Sequence, residues 1–180
     1  MVREAISDQL KNSFYDKYPD LNPDFIFAFP AYNVRSTEFN AILGRSQLKR
    51  LDRNNEIRRA NFKLFLQNLD SDKYFTDFAL EGNCNYAFTL VLKQADDQLC
   101  AQVMKTLNLL NVEFRRGTAG GGNQLRQPYL KQLNGNNPLQ DFPSVEHVHF
   151  YGFYIGNYPS LDTEKIFTLC NYLNRLGGNL

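Results

Sequence analysis

"NCNYAFTLVLKQADDQLCAQVMKTLNLLNVEFRR", residues 83–116, changes its hydrophobic period twice, and these changes predict the fold. In residues 83–93 apolar side chains recur with a period of two, which is typical of a β-strand. Apolar residues also occupy the opposite side, which indicates a strand buried on both faces near its middle. Residues 96–110 have the period of a helix, and "VEFRR", residues 112–116, is a second short strand.

The helix in this stretch has ends that the sequence also indicates. Asp96 or Asp97 can cap its first turn, because a side-chain oxygen there accepts a free backbone N–H. Asn111 suits the left-handed conformation that ends a helix. The inward stripe consists of Leu99, Val103, Leu107 and Leu110. A strand, a capped helix and a second strand are therefore predicted in succession.

The C-terminal residues continue this pattern. "SVEHVHFYG", residues 144–152, is predicted as one or two helical turns, "FYIGNYP", residues 153–159, as a third strand, and residues 161–178 as a last helix. Asp162 caps that helix and Gly177 ends it. Its inward residues are Ile166, Leu169, Leu173 and Leu176. The predicted fold class is α+β, with about three strands and helices on one face of the sheet.

A long connecting helix, residues 37–69, is predicted between an extended segment, residues 1–36, and the small α+β domain, residues 70–180. Apolar residues recur along it at three- to five-residue steps. The tetrapeptide "DRNN", residues 52–55, interrupts this stripe, so the pattern allows a kink there or a break followed by a second helical piece. The stripe consists of Phe39, Ile42, Leu43, Leu48, Leu51, Ile57, Phe62, Phe65 and Leu69.

The balance of charge argues against several classes of partner. The 180 residues carry 20 Lys and Arg against 19 Asp and Glu, so no overall field attracts nucleic acid or an anionic membrane. No apolar run approaches the roughly 20 residues that span a bilayer, and the polar N-terminus is no signal peptide. Cys84, Cys100 and Cys170 fit neither a disulfide framework nor a metal-binding spacing. We expect a cytoplasmic protein with free thiols and no metal.

Residues 117–129, "GTAGGGNQLRQPY", form a glycine-rich segment with two open interpretations. The segment lacks the Gly-Lys-Ser/Thr ending of a P-loop and the Gly-x-Gly-x-x-Gly spacing of a dinucleotide site. Its backbone N–H groups could still approach an anion, or it could be a plain flexible loop. Residues 130–143 are expected to continue as loop or linker.

The histidines suggest no catalytic group. His147 and His149 lie two residues apart, so in a helix their side chains point in different directions. Without a third ligand, we expect one packed and one solvated histidine rather than a metal site. With only two histidines, no Ser-His-Asp or Cys-His group can be assigned.

"YNVRSTE", residues 32–38, places Asn33 and Arg35 just before the long helix. In extended backbone, residues two apart lie on the same side. The pair therefore offers an amide and a guanidinium to one oxyanion, and the helix N-terminus adds positive potential. The segment is half of a phosphate cradle on this interpretation. The alternative is that Arg35 pairs with Glu38 and Asn33 makes a turn.

The same region resembles a known family. It is similar to the Tyr/Asn-x-Arg-x-Thr-Glu-x-x-Ala-x-x-Gly-x-x-Gln-Leu-x-x-Leu pattern of the DegT/DnrJ/EryC1/StrS family. The matching residues are Tyr32, Asn33, Arg35, Thr37, Glu38, Ala41, Gly44, Gln47, Leu48 and Leu51. "GGNQLRQPY", residues 121–129, and "FYIGNYPSLDTEKI", residues 153–166, are similar to the CDP-4-keto-6-deoxyglucose 3-dehydrase branch of that family.

The resemblance implies the small C-terminal domain of the aspartate aminotransferase-like fold. It also implies pyridoxal phosphate (PLP) chemistry on 4-keto-6-deoxy nucleotide sugars in polysaccharide biosynthesis, by an aminotransferase or a 3-dehydratase. Asn33 and Arg35 would contact the PLP phosphate of a neighbouring subunit in a homodimer. The candidates for binding the nucleotide sugar are Tyr86, Asn123, Arg126 and Tyr158. The "GGNQLRQP" match favours the dehydratase branch.

One departure from the family pattern leads to two hypotheses. The large domain of the family, with its PLP-binding Asp and its reactive Lys or His, has no counterpart in this sequence, and neither do the iron–sulfur cysteines of the CDP-linked dehydrase. In the first hypothesis the chain is the C-terminal part of such an enzyme, needs the missing large domain, and does not catalyse alone. In the second it is a truncated, non-catalytic remnant that binds a nucleotide sugar or a partner chain.

Overall fold

Seven helices and three short strands make up the described part of the structure, a computed structural model that describes residues 8–27, 37–133 and 138–177. The α+β class predicted from the sequence is confirmed. In the described part of the chain the strands are β1 (Ala87–Val91), β2 (Phe114–Arg116) and β3 (Gly152–Gly156).

The contacts divide the chain into two units. The sheet unit comprises the described residues of 36–115 and 151–180, and the loop unit comprises those of 1–35 and 116–150. This division differs from the three consecutive stretches expected from the sequence. Residues 116–150, expected within the small domain, group with the N-terminal segment instead.

The sheet has the order β1-β3-β2, so β3 is central. β1 and β3 are antiparallel, with Ala87 opposite Gly156 and Val91 opposite Gly152. The burial predicted on both faces of β1 is confirmed for four of its five residues, because its burial pattern is interrupted only at the partly exposed Thr89.

The core lies between the sheet and three helices, α3 (Leu51–Asn68), α4 (Asp97–Leu109) and α7 (Thr163–Asn174). Phe65 of α3 stacks on Phe88 of β1 with ring centroids 4.7 Å apart. The predicted inward residues of α4 and α7 are buried, except for the last of each stripe, which is partly buried. The buried ones are Leu99, Val103, Leu107, Ile166, Leu169 and Leu173.

The predicted helix ends are confirmed. The Asp96 carboxylate accepts the backbone N–H of Leu99 at 2.8 Å, and the Asp162 carboxylate accepts that of Glu164 at 3.0 Å. Asn111 follows α4 with a φ of 56°, and Gly177 follows α7 with a φ of 79°. These are local interactions, which explains why the sequence alone could predict them.

The helical stretch predicted for residues 37–69 is divided into two helices, as the sequence allowed, but not at residues 52–55. The structure has α2 (Glu38–Leu48) and α3, separated at Lys49 and Arg50. Arg50 leaves the helical conformation, with a φ of −123° and a ψ of 7°. The polar "DRNN" does not break a helix because it lies in the first turns of α3, where the helix dipole favours the Asp52 carboxylate.

The loop unit contains helices α1 (Asp8–Lys17), α5 (Pro128–Leu133) and α6 (Pro143–Tyr151). α6 confirms the helical turns predicted for residues 144–152. The loop expected over residues 117–143 is wrong, since 3₁₀ turns and α5 occupy much of it. The turns are Ala119–Gly121, Gln124–Arg126 and Pro138–Asp141. Proline starts both α5 and α6, a position where its missing N–H leaves no bond unmade.

Candidate functional site

Asn33 and Arg35, the residues of the expected phosphate cradle, lie outside the residues that the structure describes. The cradle therefore stays a prediction. The helix that follows them is α2, and its N-cap residue, Thr37, makes no capping hydrogen bond through its side chain.

The glycine-rich segment contributes to a polar cluster in the loop unit, which we call the Arg126 cluster. Its members are Asp20, Asn123, Arg126, Glu146 and His149. The Arg126 guanidinium donates through Nε to Glu146 at 2.9 Å, through a second nitrogen to the other Glu146 oxygen, and through the third to Asp20. The buried Asn123 side chain donates to Glu146 at 2.8 Å. Both predicted substrate ligands of this segment thus have partners within the chain.

The electrostatics of the Arg126 cluster follow from these contacts. The hydrogen bond from Arg126 lowers the pKa of Glu146, and that from Asn123 lowers it further, although burial opposes both effects. The same hydrogen bond from Glu146 raises the pKa of Arg126. Glu146 and Arg126 are therefore both charged near neutral pH.

His149 is buried in a defined neutral form. Its Nδ1 accepts the backbone N–H of Asn123 at 3.0 Å, and its Nε2 lies 3.1 Å from the carbonyl oxygen of Asp20. Because a carbonyl can only accept, the ring proton is on Nε2. Burial lowers the pKa of His149. His147 is partly exposed, so the expectation of one packed histidine is met by His149.

The glycines of residues 117–122 allow the chain to pack against α6. A Cβ on Gly117 would collide with the carbonyl of Val148, and a Cβ on Gly122, whose φ is 62°, would collide with the His149 imidazole. The backbone N–H groups of Gly121 and Gly122 donate to carbonyls of the same segment at 3.3 and 3.5 Å. These amides, with that of Asn123, bond within the protein rather than pointing at an anion.

Sequence reasoning missed Gln127, which is fully buried. Its Oε1 accepts the backbone N–H of Phe27 at 2.8 Å, and its Nε2 donates to the carbonyls of Phe25 and Gly121 at 2.9 and 2.8 Å. It also missed Asp20 and Glu146 as partners of Arg126. The only signal was a run of polar residues beside glycines, which does not say where their partners are.

Tyr86 and Tyr158 come together in the sheet unit, at a cleft of about 710 Å³ that we call the tyrosine cleft. They are 70% and 47% exposed. The ring of Tyr86 packs edge-on against that of Tyr154, with centroids 6.4 Å apart. The cleft has an apolar interior and a polar rim that includes Arg115 and Lys165. Further lining residues are Phe88, Phe114, Ile155, Ile166 and Leu169.

The described residues offer neither a metal site nor a membrane span. Within the described ranges, no three His, Cys, Asp or Glu residues are grouped so that they could hold a metal ion. Nor does the described part of the chain contain a helix of the length and apolarity that a membrane span needs. The three cysteines are free thiols, with Cys84 exposed and Cys100 and Cys170 buried.

Comparison with known proteins assigns the chain to a family. A family model described as the DegT/DnrJ/EryC1/StrS aminotransferase family matches residues 6–174. The chain belongs to this family. The resemblance found in the segment that starts at Tyr32 is thereby confirmed.

Curated relatives of the chain include proteins named as dehydratases. A GDP-4-keto-6-deoxy-D-mannose 3-dehydratase of Yersinia pseudotuberculosis is 28% identical over 152 residues, which cover 84% of this chain and 38% of the relative. The lipopolysaccharide biosynthesis protein RfbH of Salmonella typhimurium is 27% identical over 79% of this chain and 33% of its own length. The chain thus spans little more than a third of these relatives, in their C-terminal part.

Two solved dehydratase structures share the fold. A GDP-4-keto-6-deoxymannose-3-dehydratase with a trapped PLP-glutamate geminal diamine aligns with a TM-score of 0.59 at 22% identity, over 88% of this chain and 44% of that one. The Escherichia coli GDP-4-keto-6-deoxy-D-mannose-3-dehydratase with bound hydrated PLP aligns with the same TM-score at 23% identity. The likeness confirms the predicted fold, that of part of a PLP enzyme of the aspartate aminotransferase-like type.

Proposed function

We propose that the chain forms the C-terminal part of a PLP-dependent enzyme that acts on a 4-keto-6-deoxy nucleotide sugar in lipopolysaccharide sugar biosynthesis. We favour 3-dehydration over amination. The observation that carries the proposal is the similarity, over 84% of the chain, to a relative named as a 3-dehydratase. The cytoplasmic location expected from the cysteines belongs to the same proposal.

The donor set before α2 fits the phosphate of PLP. Asn33 offers an amide and Arg35 a guanidinium, and a guanidinium matches phosphate oxygens in charge and geometry. We assign these two residues to the phosphate and no residue of this chain to the pyridine ring. When bound, PLP supplies an electron sink for carbanion chemistry on the sugar.

The tyrosine cleft is the better candidate for contact with the nucleotide sugar. Tyr86 and Tyr158 combine an exposed ring, which can pack against a base or sugar, with a hydroxyl that can hydrogen-bond. Arg115 and Lys165 on the rim can donate to phosphate oxygens, although Glu113 and Glu164 line the same cleft and offset their charge. The relatives are named for GDP-linked sugars, which favours a guanine nucleotide. The resemblance to the CDP-4-keto-6-deoxyglucose 3-dehydrase branch had implied a cytosine nucleotide.

Asn123 and Arg126 have contacts that favour a supporting role. Arg126 already forms ion pairs with Asp20 and Glu146, and Asn123 is buried. Direct binding of substrate would require Arg126 to exchange a carboxylate of its own chain for a phosphate. We therefore propose that the two residues order the glycine-rich segment, and their direct contact with substrate stays a prediction.

The apolar surface of α2 supports the proposal that another domain or subunit packs against this chain. Phe39, Ile42 and Leu43 are 77%, 65% and 63% exposed, although they form one stripe of the helix. Adjacent exposed apolar side chains of this size mark a surface that another protein surface covers. We infer that the large domain typical of the family, or the second subunit of a homodimer, covers this stripe in the complete enzyme.

A single experiment tests the proposal. The protein is purified from its source through an affinity tag at the C-terminus of this chain, together with whatever polypeptide accompanies it. It is then incubated with PLP, glutamate and GDP-4-keto-6-deoxymannose, and the sugar product is identified by mass spectrometry. Dehydration removes the 3-hydroxyl group, whereas amination replaces the 4-keto oxygen and keeps that hydroxyl.

The outcomes separate the hypotheses. A product without the 3-hydroxyl group is expected. A 4-amino product would keep the substrate class and overturn the choice of reaction. A preparation that neither turns over nor binds the nucleotide sugar would overturn the proposal as a whole.

A further inference from the structure

Asn157, the first residue after β3, is the centre of a buried hydrogen-bond network in the sheet unit. It is 3% exposed. Its Nδ2 donates to the carbonyl of Arg58 at 2.9 Å and to that of Asn85 at 2.8 Å. Its Oδ1 accepts from Nδ2 of Asn61 at 3.1 Å. One amide side chain therefore joins α3, the turn before β1 and the end of β3.

The backbone of Asn157 adds two more bonds to the same neighbours. Its N–H donates to the carbonyl of Tyr86 at 3.2 Å, and its carbonyl accepts from Nε of Arg58 at 3.3 Å. The N–H, the carbonyl and both ends of the side-chain amide are thus bonded. A buried polar group is costly to leave unpaired, so this arrangement specifies one geometry.

These bonds lie next to the two candidate ligand residues of the tyrosine cleft. Tyr158 directly follows Asn157 in the chain, and the Tyr86 carbonyl is itself a partner of Asn157. Gly156, on the other side of Asn157, lines the cleft as well. The network therefore fixes the backbone from which both tyrosine rings extend.

The turn before β1 is held by the same network. Asn85 has a φ of 45°, a left-handed conformation that asparagine adopts more readily than most residues with a Cβ. Its N–H donates to the Asn83 side chain at 2.9 Å, and its carbonyl is held by Asn157. Its buried Nδ2 has no hydrogen-bond partner among the described residues. The contacts around Asn85 therefore hold one defined turn directly before Tyr86.

We propose that Asn157 is a positioning residue for ligand binding: it sets the arrangement of Tyr86 and Tyr158 on the tyrosine cleft so that the two rings contact one ligand. The inference rests on the proposed function, in which that ligand is the nucleotide sugar. Asn157 does not touch the ligand itself. Its effect passes through the backbone of the two tyrosines, because small displacements of binding groups weaken binding strongly.

The test compares two bridging asparagines of the same unit. Asn157→Ala removes the bridge at the cleft. Asn174→Ala removes a similar bridge at the end of α7, where the side chain accepts from Asp70 at 2.8 Å and donates to Asn68 at 2.8 Å. Asn61→Leu is the milder variant, since it removes one partner of Asn157 and leaves both backbone carbonyls bonded.

Two readouts are needed, both on the protein purified with its natural partners. The first is fluorine NMR after labelling with fluorotyrosine, in which the Tyr86 and Tyr158 signals are assigned from Tyr→Phe variants. The second is the dissociation constant of GDP, together with KM and kcat for the nucleotide sugar. Circular dichroism and the free energy of unfolding show which variants are folded.

We expect Asn157→Ala to move both tyrosine signals and to raise the dissociation constant and KM by about tenfold or more, with a smaller change in kcat. Asn61→Leu should change the tyrosine signals, the dissociation constant and KM in the same direction but by smaller amounts. Asn174→Ala lowers stability but leaves the two signals and KM unchanged. If Asn157→Ala unfolds the protein, Asn61→Leu decides the question in its place.

Two results would overturn the inference. One is a folded Asn157 or Asn61 variant in which signals and affinity equal those of the wild type. The other is an Asn174 variant that changes them equally, since the effect would then be general loss of stability. If the wild type binds no nucleotide, the ligand assignment falls with the proposed function. The fluorine signals of the tyrosines would then still show whether Asn157 determines the arrangement of Tyr86 and Tyr158.

Discussion

The Arg126 guanidinium and the Glu146 carboxylate form a two-point ion pair, in which Nε donates to one oxygen at 2.9 Å and a terminal nitrogen donates to the other. Only the planar fork of arginine can make both bonds. The pair connects the glycine-rich segment to α6, so the order of that segment depends on the shape of the guanidinium as well as on its charge.

Arg126→Lys should therefore destabilise the protein although it keeps the charge. We expect the free energy of unfolding to fall by roughly 1.5–3 kcal/mol, the typical contribution of a hydrogen bond to a charged group. Urea denaturation measures the change. Arg53→Lys on the exposed face of α3 is the control and should change stability by less than about 0.5 kcal/mol. Equal effects of the two substitutions would contradict the two-point pair.

Stability should fall on acidification because of His149. Its pKa in the folded state is below the ordinary 6.5, so the unfolded chain binds the proton more readily. The free energy of unfolding therefore decreases as the pH falls from about 7.5 to about 5.5. His149→Gln should flatten this part of the profile. A slope unchanged in His149→Gln would exclude His149 as its source.

Glu146 should add a second loss of stability at lower pH. The pKa of Glu146 in the folded state lies below the ordinary 4.5 of the unfolded chain. The stabilisation by its ionised form is therefore complete above the unfolded pKa and is lost as the pH falls through the folded pKa. Glu146→Gln is expected to remove this acid-sensitive component and to lower stability at neutral pH. Denaturation profiles at pH values below about 5 measure the effect. A Glu146→Gln profile parallel to that of the wild type would contradict it.

Gly122→Ala should disrupt the glycine-rich segment more than Gly120→Ala does. Both glycines have a positive φ, of 62° and 70°, and share the strain of about 1–2 kcal/mol that a Cβ adds there. Only at Gly122 does the added methyl group also collide with the His149 imidazole, while the space at Gly120 is open. We expect an additional loss of roughly 1–3 kcal/mol at Gly122. Equal losses in urea denaturation would show that the collision is relieved.

The apolar stripe of α2 should govern association of the 180-residue chain. Ile42→Gln combined with Leu43→Gln is expected to reduce concentration-dependent association in analytical ultracentrifugation and to leave the thermal midpoint nearly unchanged, because both side chains are exposed. Leu109→Gln removes an even more exposed leucine elsewhere in the sheet unit and is the control. Association that persists in the double variant would place the interacting surface elsewhere.

Arg35→Ala tests the phosphate cradle, which so far rests on sequence. In the complete enzyme the loss of a charged hydrogen bond to phosphate should weaken PLP binding by about ten- to a hundredfold. Equilibrium dialysis with PLP measures the change, and Arg45→Ala on α2 is the control. An unchanged PLP affinity would make the ion pair between Arg35 and Glu38 the better interpretation.

Much of the sheet unit was predictable because its signals are local. The alternation in β1, the carboxylate caps Asp96 and Asp162, and the left-handed Asn111 each depend on residues close in sequence. The break at Arg50 was not predictable in the same way, because the apolar stripe continues across it. That stripe is exposed on α2, so no packing within the described residues maintains the periodicity.

The candidate site was predictable only as a set of residue types. Tyr86 and Tyr158 do line one cleft. Asn123 and Arg126 were expected to bind substrate, yet the structure pairs them with Glu146 and Asp20. Polar residues in a glycine-rich segment reveal hydrogen-bonding capacity, but the identity of their partners depends on the tertiary fold.

Asp20 is synthesised long before either of its partners. Its carboxylate meets Arg126, 106 residues further along the chain, and its carbonyl meets His149 after 129 residues. The loop unit therefore cannot close on the ribosome until α6 has emerged. The sheet unit can form only later, because it also contains β3 and α7, which are synthesised after α6. Both units thus depend on segments that lie far along the chain from their first residues, so a nascent chain stalled before residue 149 would expose unpaired segments of each to chaperones and proteases.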